Sequence, residues 1–270
     1  MRNILSLLVL SFLLGACGPY QKVLKKDDIK PKYDLGNQYY KEGLETGKKF
    51  KFKRSIRLME QIAPQYRGKP QGEPIAFTIA DSYYQLGDFF NASYQFERFT
   101  KAYPASDKTE EAAFKTAKSY YKISPRYTLD QQDTDKALIK LQEYIVQYPS
   151  GEHFAEANTL VSKLRDKLEK KQFSIAELYY FQDDYRAAIA AMDLFITENP
   201  GSSFREKAYF YRMDAQHTLA IKSVREVMEE RLKKTKRYSE DYLKYFPEGE
   251  YYDKAKAAEE DVIKRLKEFN

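Results

Sequence analysis

The placement of proline limits the fold of this chain more than any other feature. Pro64, Pro104, Pro149, Pro200 and Pro247 follow one another at 40, 45, 51 and 47 residues. Four of the five close related phrases: Lys101-Ala-Tyr-Pro-Ala-Ser106, Val146-Gln-Tyr-Pro-Ser-Gly151, Thr197-Glu-Asn-Pro-Gly-Ser202 and Lys244-Tyr-Phe-Pro-Glu-Gly249. Proline just past a helix ends it, because it lacks the N–H and clashes with the preceding turn. The Ser, Gly and acidic residues that follow turn the chain and start the next helix. Between these points Gly and Pro are scarce, charged residues reach 32%, and 24 Tyr and 17 Phe are interspersed with little strict alternation. That pattern predicts helices throughout. Similar units recurring at roughly 20–50 residues describe an array in which each unit is covered by its neighbours.

The clearest unit, residues 73–106, resembles a tetratricopeptide repeat, a pair of antiparallel helices in about 34 residues. Ala80 allows close helix approach, Tyr83 fills the space between helices and Gly87-Asp88 turns. Ala92, Phe96 and Phe99 then share a face before Pro104. Residues 173–202 repeat the rule with Ala176, Tyr179, Ala188, Met192, Phe195 and Pro200, and Asp183-Asp184 stands for the Gly-Asp turn. Three units are stretched. In the first, Leu35-Gly36 and Tyr39 fit, but the turn carries extra residues over 42–53. In the third, Ala113, Ala117 and Tyr120 are separated by 124–132 from Ala137, Leu141 and Tyr144. In the fifth, 208–233 reads as one long helix, with the second helix running on to Tyr245. A last helix over about 251–268 is charged on one side, as a cap should be. The expected fold is all-α, a superhelical solenoid of about five tetratricopeptide-like hairpins with a C-terminal capping helix. Tyr39, Tyr83, Tyr120, Tyr179, Phe96, Phe99 and Phe195 are read as packing residues.

The N-terminus carries a different message. Met1-Arg2-Asn3 is short and basic, residues 4–14 are almost wholly apolar, and Leu14-Gly15-Ala16-Cys17 follows. This is a secretory signal, too short for the roughly 20 apolar residues of a membrane span. It resembles a bacterial lipoprotein signal, whose lipobox is Leu, two small residues and Cys. That resemblance makes Cys17, the sole cysteine, an acylated first residue, and Gly18 in place of Asp points to the outer membrane. The expected organisation is a signal peptide over 1–16, a lipidated linker over 17–31, N-terminal repeats over 32–163 and C-terminal repeats with the cap over 164–270. Cleavage would leave 254 residues and lower the net charge from +6 to +5 by loss of Arg2. This mild excess is no polyanion-binding signature, and with one cysteine no intramolecular disulfide forms.

Catalytic chemistry is missing from the pattern. Only His153 and His217 are present, neither at ligand spacing from another His or Cys. The sequence has no phosphate-binding glycine loop, no nucleophile elbow and no His-Glu-x-x-His. Asp130, Asp133 and Asp135 miss the EF-hand spacing, and Asp133 or Thr134 reads as the cap of a helix beginning near Lys136. No metal, cofactor, nucleic acid or enzymatic role is expected. Two basic clusters, Lys48, Lys49, Lys51, Lys53, Arg54 and Arg231, Lys233, Lys234, Lys236, Arg237, read as solvated faces, or as contacts with anionic lipid or an acidic partner.

The blocks Ser82-Tyr-Tyr with Arg98-Phe99, Ser124-Pro125 with Leu129-Asp130-Gln131 and Thr134, and Leu164-Arg-Asp-Lys-Leu168 with 173–179 together resemble the BamD (YfiO/ComL) lipoproteins. The resemblance runs from Lys32 to about Leu219 and implies a non-catalytic subunit of the outer-membrane β-barrel assembly (BAM) machinery. Such a subunit binds the periplasmic POTRA portion of BamA and other BAM subunits, and receives unfolded barrel precursors. It implies an outer-membrane, lipid-anchored protein facing the periplasm. The client groove is expected on the concave face of the first two to three repeats, at exposed Tyr40, Tyr84 and Tyr121, and the segment from Phe173 onward is expected to face BamA. The rival reading is a repeat lipoprotein that scaffolds another envelope complex, such as a regulator of cell-wall synthesis.

Overall fold

The computed structural model describes residues 19–269. The signal segment, Cys17 and Gly18 lie outside the described residues. Within them the elements are α1 (Pro19–Lys25), α2 (Ile29–Thr46), α3 (Lys49–Ile62), a 3-10 turn (Ala63–Tyr66), α4 (Gly72–Leu86), α5 (Phe89–Ala102), α6 (Thr109–Ile123) and α7 (Gln132–Gln147). There follow α8 (Phe154–Phe181), α9 (Tyr185–Glu198), α10 (Arg205–Ile221), α11 (Arg225–Tyr245) and α12 (Tyr252–Leu266). No strand occurs among the described residues. The pairs α2–α3, α4–α5, α6–α7 and α10–α11 pack as helical hairpins, and α12 packs on the last of them. α8 and α9 form the fifth, sharing the core of Phe173, Ala176, Ala188, Met192 and Phe195. This is the all-helical repeat array that the proline spacing demands.

Among the described residues two compact units are present, one ending at 125 and including 131–161, the other including 126–130 and beginning again at 162. The division falls inside α8, a single helix of 28 residues. In the first unit, Met59, Ile62, Ile75 and Ile79 pack together, and Phe77, Ala80, Ala92, Phe96, Phe99 and Ala112 form the next layer. In the second, Phe173, Ala176, Ala188, Met192, Phe195, Ala208, Phe210, Met213 and Tyr242 are one cluster. Of the alanines chosen from the repeat pattern, Ala80, Ala92, Ala117, Ala137 and Ala188 are at 0% exposure, but Ala113 is half-buried and its neighbour Ala112 is the covered one. Gly36 takes this part in α2, where a Cβ would come within 2.9 Å of Met59 Cε.

Two of the proline turns are latched by a tyrosine five residues before the proline. Tyr144 donates its hydroxyl to Glu110 Oε1 at 3.0 Å and accepts from the His153 amide at 3.2 Å. In the second unit Tyr242 donates to Glu206 Oε1 at 2.8 Å and accepts from the Tyr251 amide at 3.0 Å. Each latch ties the start of one helix to the end of its partner and to the turn after proline. The turn glycine is part of it: a Cβ at Gly151 would meet Glu110 Oε1 at 2.5 Å and Tyr144 Oη at 2.7 Å.

The stretched units differ from their sequence reading. The first turn is only Gly47-Lys48, with Gly47 left-handed at φ 66°, because Lys49 onward is already helical. The long helix expected over 208–233 is broken at 222–224. There the Ser223 hydroxyl donates to the Leu219 carbonyl at 2.5 Å and binds Arg231, while Val224 is extended at ψ 155°. A side chain that competes for backbone partners ends a helix without Gly or Pro. The helix expected near Lys136 begins at Gln132 with no side-chain cap, and buried Thr134 bonds Gln131 Oε1 at 2.8 Å instead. The segment read as a linker is helical: Tyr20 of α1 is buried against Tyr39 and Leu58. Tyr179 is 37% exposed, and its neighbour Tyr180 packs in its place, stacked on Tyr211 at 4.6 Å.

Candidate interaction surfaces

In the first unit, α2, α4 and α6 meet around one buried carboxylate. Asp81 of α4 is 1% exposed. It accepts from the Tyr40 hydroxyl at 2.8 Å and from Gln85 Nε2 at 3.2 Å, and it pairs with Lys115 Nζ at 2.5 Å. Lys115 also binds Glu111 at 2.8 Å and lies 5.5 Å from the Tyr84 ring centroid. A buried charge is tolerated when it is paired and hydrogen-bonded, and Asp81 is both. Burial opposes the charge on Lys115, yet Asp81 beside it holds its pKa above the ordinary value. Burial first, and then the Asp81 charge and hydrogen bond, push the Tyr40 phenol far above its ordinary range, so it stays a donor.

This network brings Tyr40 and Tyr84 together, but not as exposed residues. Both are half-buried: Tyr40 packs its ring on Phe52 at 6.3 Å, and Tyr84 packs on Phe89 at 5.4 Å. The position one past each packing tyrosine is itself a contact position, because the partner helix of the same hairpin packs on each ring and the next hairpin adds Asp81 against Tyr40 and Lys115 against Tyr84. Tyr121, also half-buried, lies outside the Asp81 network. A cleft of about 350 Å³ opens beside the second hairpin, with Ala63, Pro64 and Ala76 on its wall and Arg67 and Arg98 at its rim.

The large exposed apolar side chains sit elsewhere. On α5, Phe90 is 72% exposed and Tyr94 55%, one turn apart, with the Arg98 guanidinium 5.6 Å from the Tyr94 centroid. In the second unit, Ile175 and Leu178 are exposed on α8. Beside them Lys171 donates to the Leu129 carbonyl at 2.6 Å, and Lys170 covers the Tyr127 ring at 4.7 Å. The spacing of three and four residues was the readable signal for these stripes. On α10, Arg212 is buried between the rings of Tyr238 and Tyr209, 4.0 and 4.7 Å from their centroids. It pairs with Asp193 at 2.9 Å and Asp241 at 3.5 Å.

The two histidines are packing residues. His153 stacks on Phe114 at 4.2 Å, and His217 Nε2 lies 2.9 Å from Asp261 Oδ2. Among the described residues no three metal-ligating side chains gather, and no helix is long and apolar enough to cross a membrane.

Comparison with known proteins follows the same lines. A family model for a tetratricopeptide repeat matches residues 172–202, the fourth Pro phrase and the helices before it. The putative outer membrane protein assembly factor BamD of Aquifex aeolicus is 26% identical, over 88% of this chain and 78% of that protein. The outer membrane protein assembly factor BamD of Caulobacter vibrioides is 24% identical over 52% of this chain and 46% of its own length. That of Buchnera aphidicola is 20% identical over 73% and 83%. The family model YfiO, outer membrane lipoprotein, matches residues 34–182, from α2 to the end of α8. With more than half of its length matched, the chain belongs to the YfiO family of outer membrane lipoproteins.

Proposed function

We propose that this protein is a non-catalytic, lipid-anchored subunit of outer-membrane protein assembly. Acylated Cys17 holds it to the outer membrane on the periplasmic side. The first unit receives unfolded β-barrel precursors along the face of α2, α4 and α6, and the second unit docks the POTRA region of BamA. The observation that supports this most is the family match over residues 34–182, reinforced by the BamD relative that aligns with 88% of the chain. The half-buried Tyr40, Tyr84 and Tyr121 offer ring edges to an extended segment. The buried Asp81–Lys115 pair ties together the helices that carry Tyr40 and Tyr84 and fixes the shape of that face, which favours backbone and aromatic contacts.

Depletion tests the reading. Loss of the protein should lower folded outer-membrane barrels several-fold while total cell-wall crosslinking stays constant. Photocrosslinkers placed at Tyr40, Tyr84 and Tyr121 of the full chain should capture barrel precursors, and probes at Ile175 or Leu178 should capture BamA. Normal barrel levels with altered crosslinking would support the cell-wall scaffold instead.

A further inference from the structure

We propose that the tip of the first hairpin is a membrane-contact surface that binds anionic phospholipid headgroups. The inference rests on lipidation of Cys17, proposed above, and on a patch that neither the precursor nor the BamA reading uses. The turn Gly47-Lys48 and the start of α3 expose Lys48, Lys49 and Lys53. Between them stand two exposed apolar side chains, Leu44 at 49% and Phe50 at 46%. Of the two acids on the same tip, Glu42 is taken by Lys51, and Glu45 is exposed. Lysines in the first turn of a helix work against its dipole, so stability does not account for them there. An apolar tip ringed by lysines matches a bilayer interface: the rings and methyls enter the headgroup boundary and the ammonium groups meet phosphate.

The path of the chain fixes what this tip faces. α1 is docked on the same hairpin through Tyr20, whose ring meets Tyr39 edge-on at 5.8 Å. The Arg54 guanidinium lies 4.8 Å from the Tyr20 centroid and 5.1 Å from that of Phe50, so Phe50 stands next to the anchored helix. Only Gly18 separates Cys17 from α1. Two peptide steps span at most about 7 Å. A lipid on Cys17 therefore holds α1, and with it the exposed Phe50 and its lysines, against the membrane surface. Lys22, Lys25 and Lys26 add charge on the same helix and just beyond it, and Asp27 and Asp28 follow them.

The chain contains no tryptophan, so Phe50→Trp makes a single reporter. The protein to use is residues 17–270 with Cys17→Ala, which isolates the surface from the lipid. With vesicles of phosphatidylglycerol and phosphatidylethanolamine the emission should shift to the blue, and brominated lipid should quench it. Phosphatidylcholine vesicles should leave it unchanged. Adding Lys48→Gln, Lys49→Gln and Lys53→Gln should weaken binding about 100-fold, roughly fivefold for each charge lost near the surface. No shift with anionic vesicles, or a shift indifferent to the three glutamines, overturns the proposal. So does a photocrosslinker at position 50 that captures an acidic protein in cells and no lipid. Failure of Cys17 lipidation is read separately, as absence of labelled fatty acid on the wild-type protein.

Discussion

Tyrosine is the residue that this chain uses where other chains use apolar side chains alone. Its ring fills the space between helices and its hydroxyl reaches a carboxylate on another helix, as in Tyr40–Asp81, Tyr83–Glu60, Tyr180–Asp214 and Tyr238–Asp193. Burial and then the partnering carboxylates push Tyr83 and Tyr144 up to about 12. The folded state therefore holds these protons after the unfolded chain has lost them near pH 10. Stability from the pairs is complete below pH 10 and falls as pH rises through about 12. Tyrosine absorbance at 295 nm and helicity at 222 nm should change together in that window, rather than ionisation preceding unfolding. Tyr144→Phe should cost about 1–2 kcal/mol in urea denaturation at pH 7, since Glu110 and the His153 amide lose a partner, and should flatten the alkaline loss. The rings of Tyr83 and Tyr144 were readable from spacing, whereas Tyr180 packs where Tyr179 was expected and Tyr40 is covered, and the hydroxyl partners were not readable. Glu110 and Tyr144 are 34 residues apart, and only the packed hairpin joins them.

At the scale of elements, the turns at Gly87 and Asp183 were legible, whereas the Gly47 turn was read too long and the break at 222–224 was not seen. Gly87 is left-handed at φ 79°, and Asp183 takes the same place in the fourth hairpin at φ 60°. The next residue caps in both cases: Asp88 accepts from the Asn91 amide at 3.2 Å and Asp184 from the Ala187 amide at 3.1 Å. Nothing lies within 4 Å of a Cβ built on Gly87, so a substitution there meets backbone strain alone. Gly87→Ala should destabilise by about 1 kcal/mol, and Gly87→Asp by less, because Asp enters the left-handed region more easily. The urea midpoint reads both. The break at 222–224 escaped the sequence reading because Ser223 ends α10 through a local hydroxyl bond that no composition rule marks. The α1 helix escaped for another reason: a seven-residue helix has little signal of its own, and it is held by the burial of Tyr20.

For the molecule as a whole, each helix packs chiefly on the one that follows it in sequence, so stability is close to a sum over neighbours. The cap is then a necessity. Phe210 stacks on Tyr251 at 4.2 Å, and Val262 of α12 is fully buried with Ala220 and Leu232. Deleting residues 250–270 should destabilise the second unit by on the order of 3 kcal/mol. Hydrogen exchange should speed in α10 and α11 while α4 to α6 keep their protection; equal loss in both would refute nearest-neighbour stabilisation. The array and its five hairpins were legible because proline spacing is a long-range pattern written locally. The candidate surfaces were legible only in part, since exposure depends on which neighbour closes over a helix, and Tyr40 and Tyr84 were covered by theirs. The same arrangement has a consequence for synthesis. A chain that emerges N-terminus first can close each hairpin as soon as the following one is out. It waits for no distant segment, so little unfolded length stands exposed at any moment.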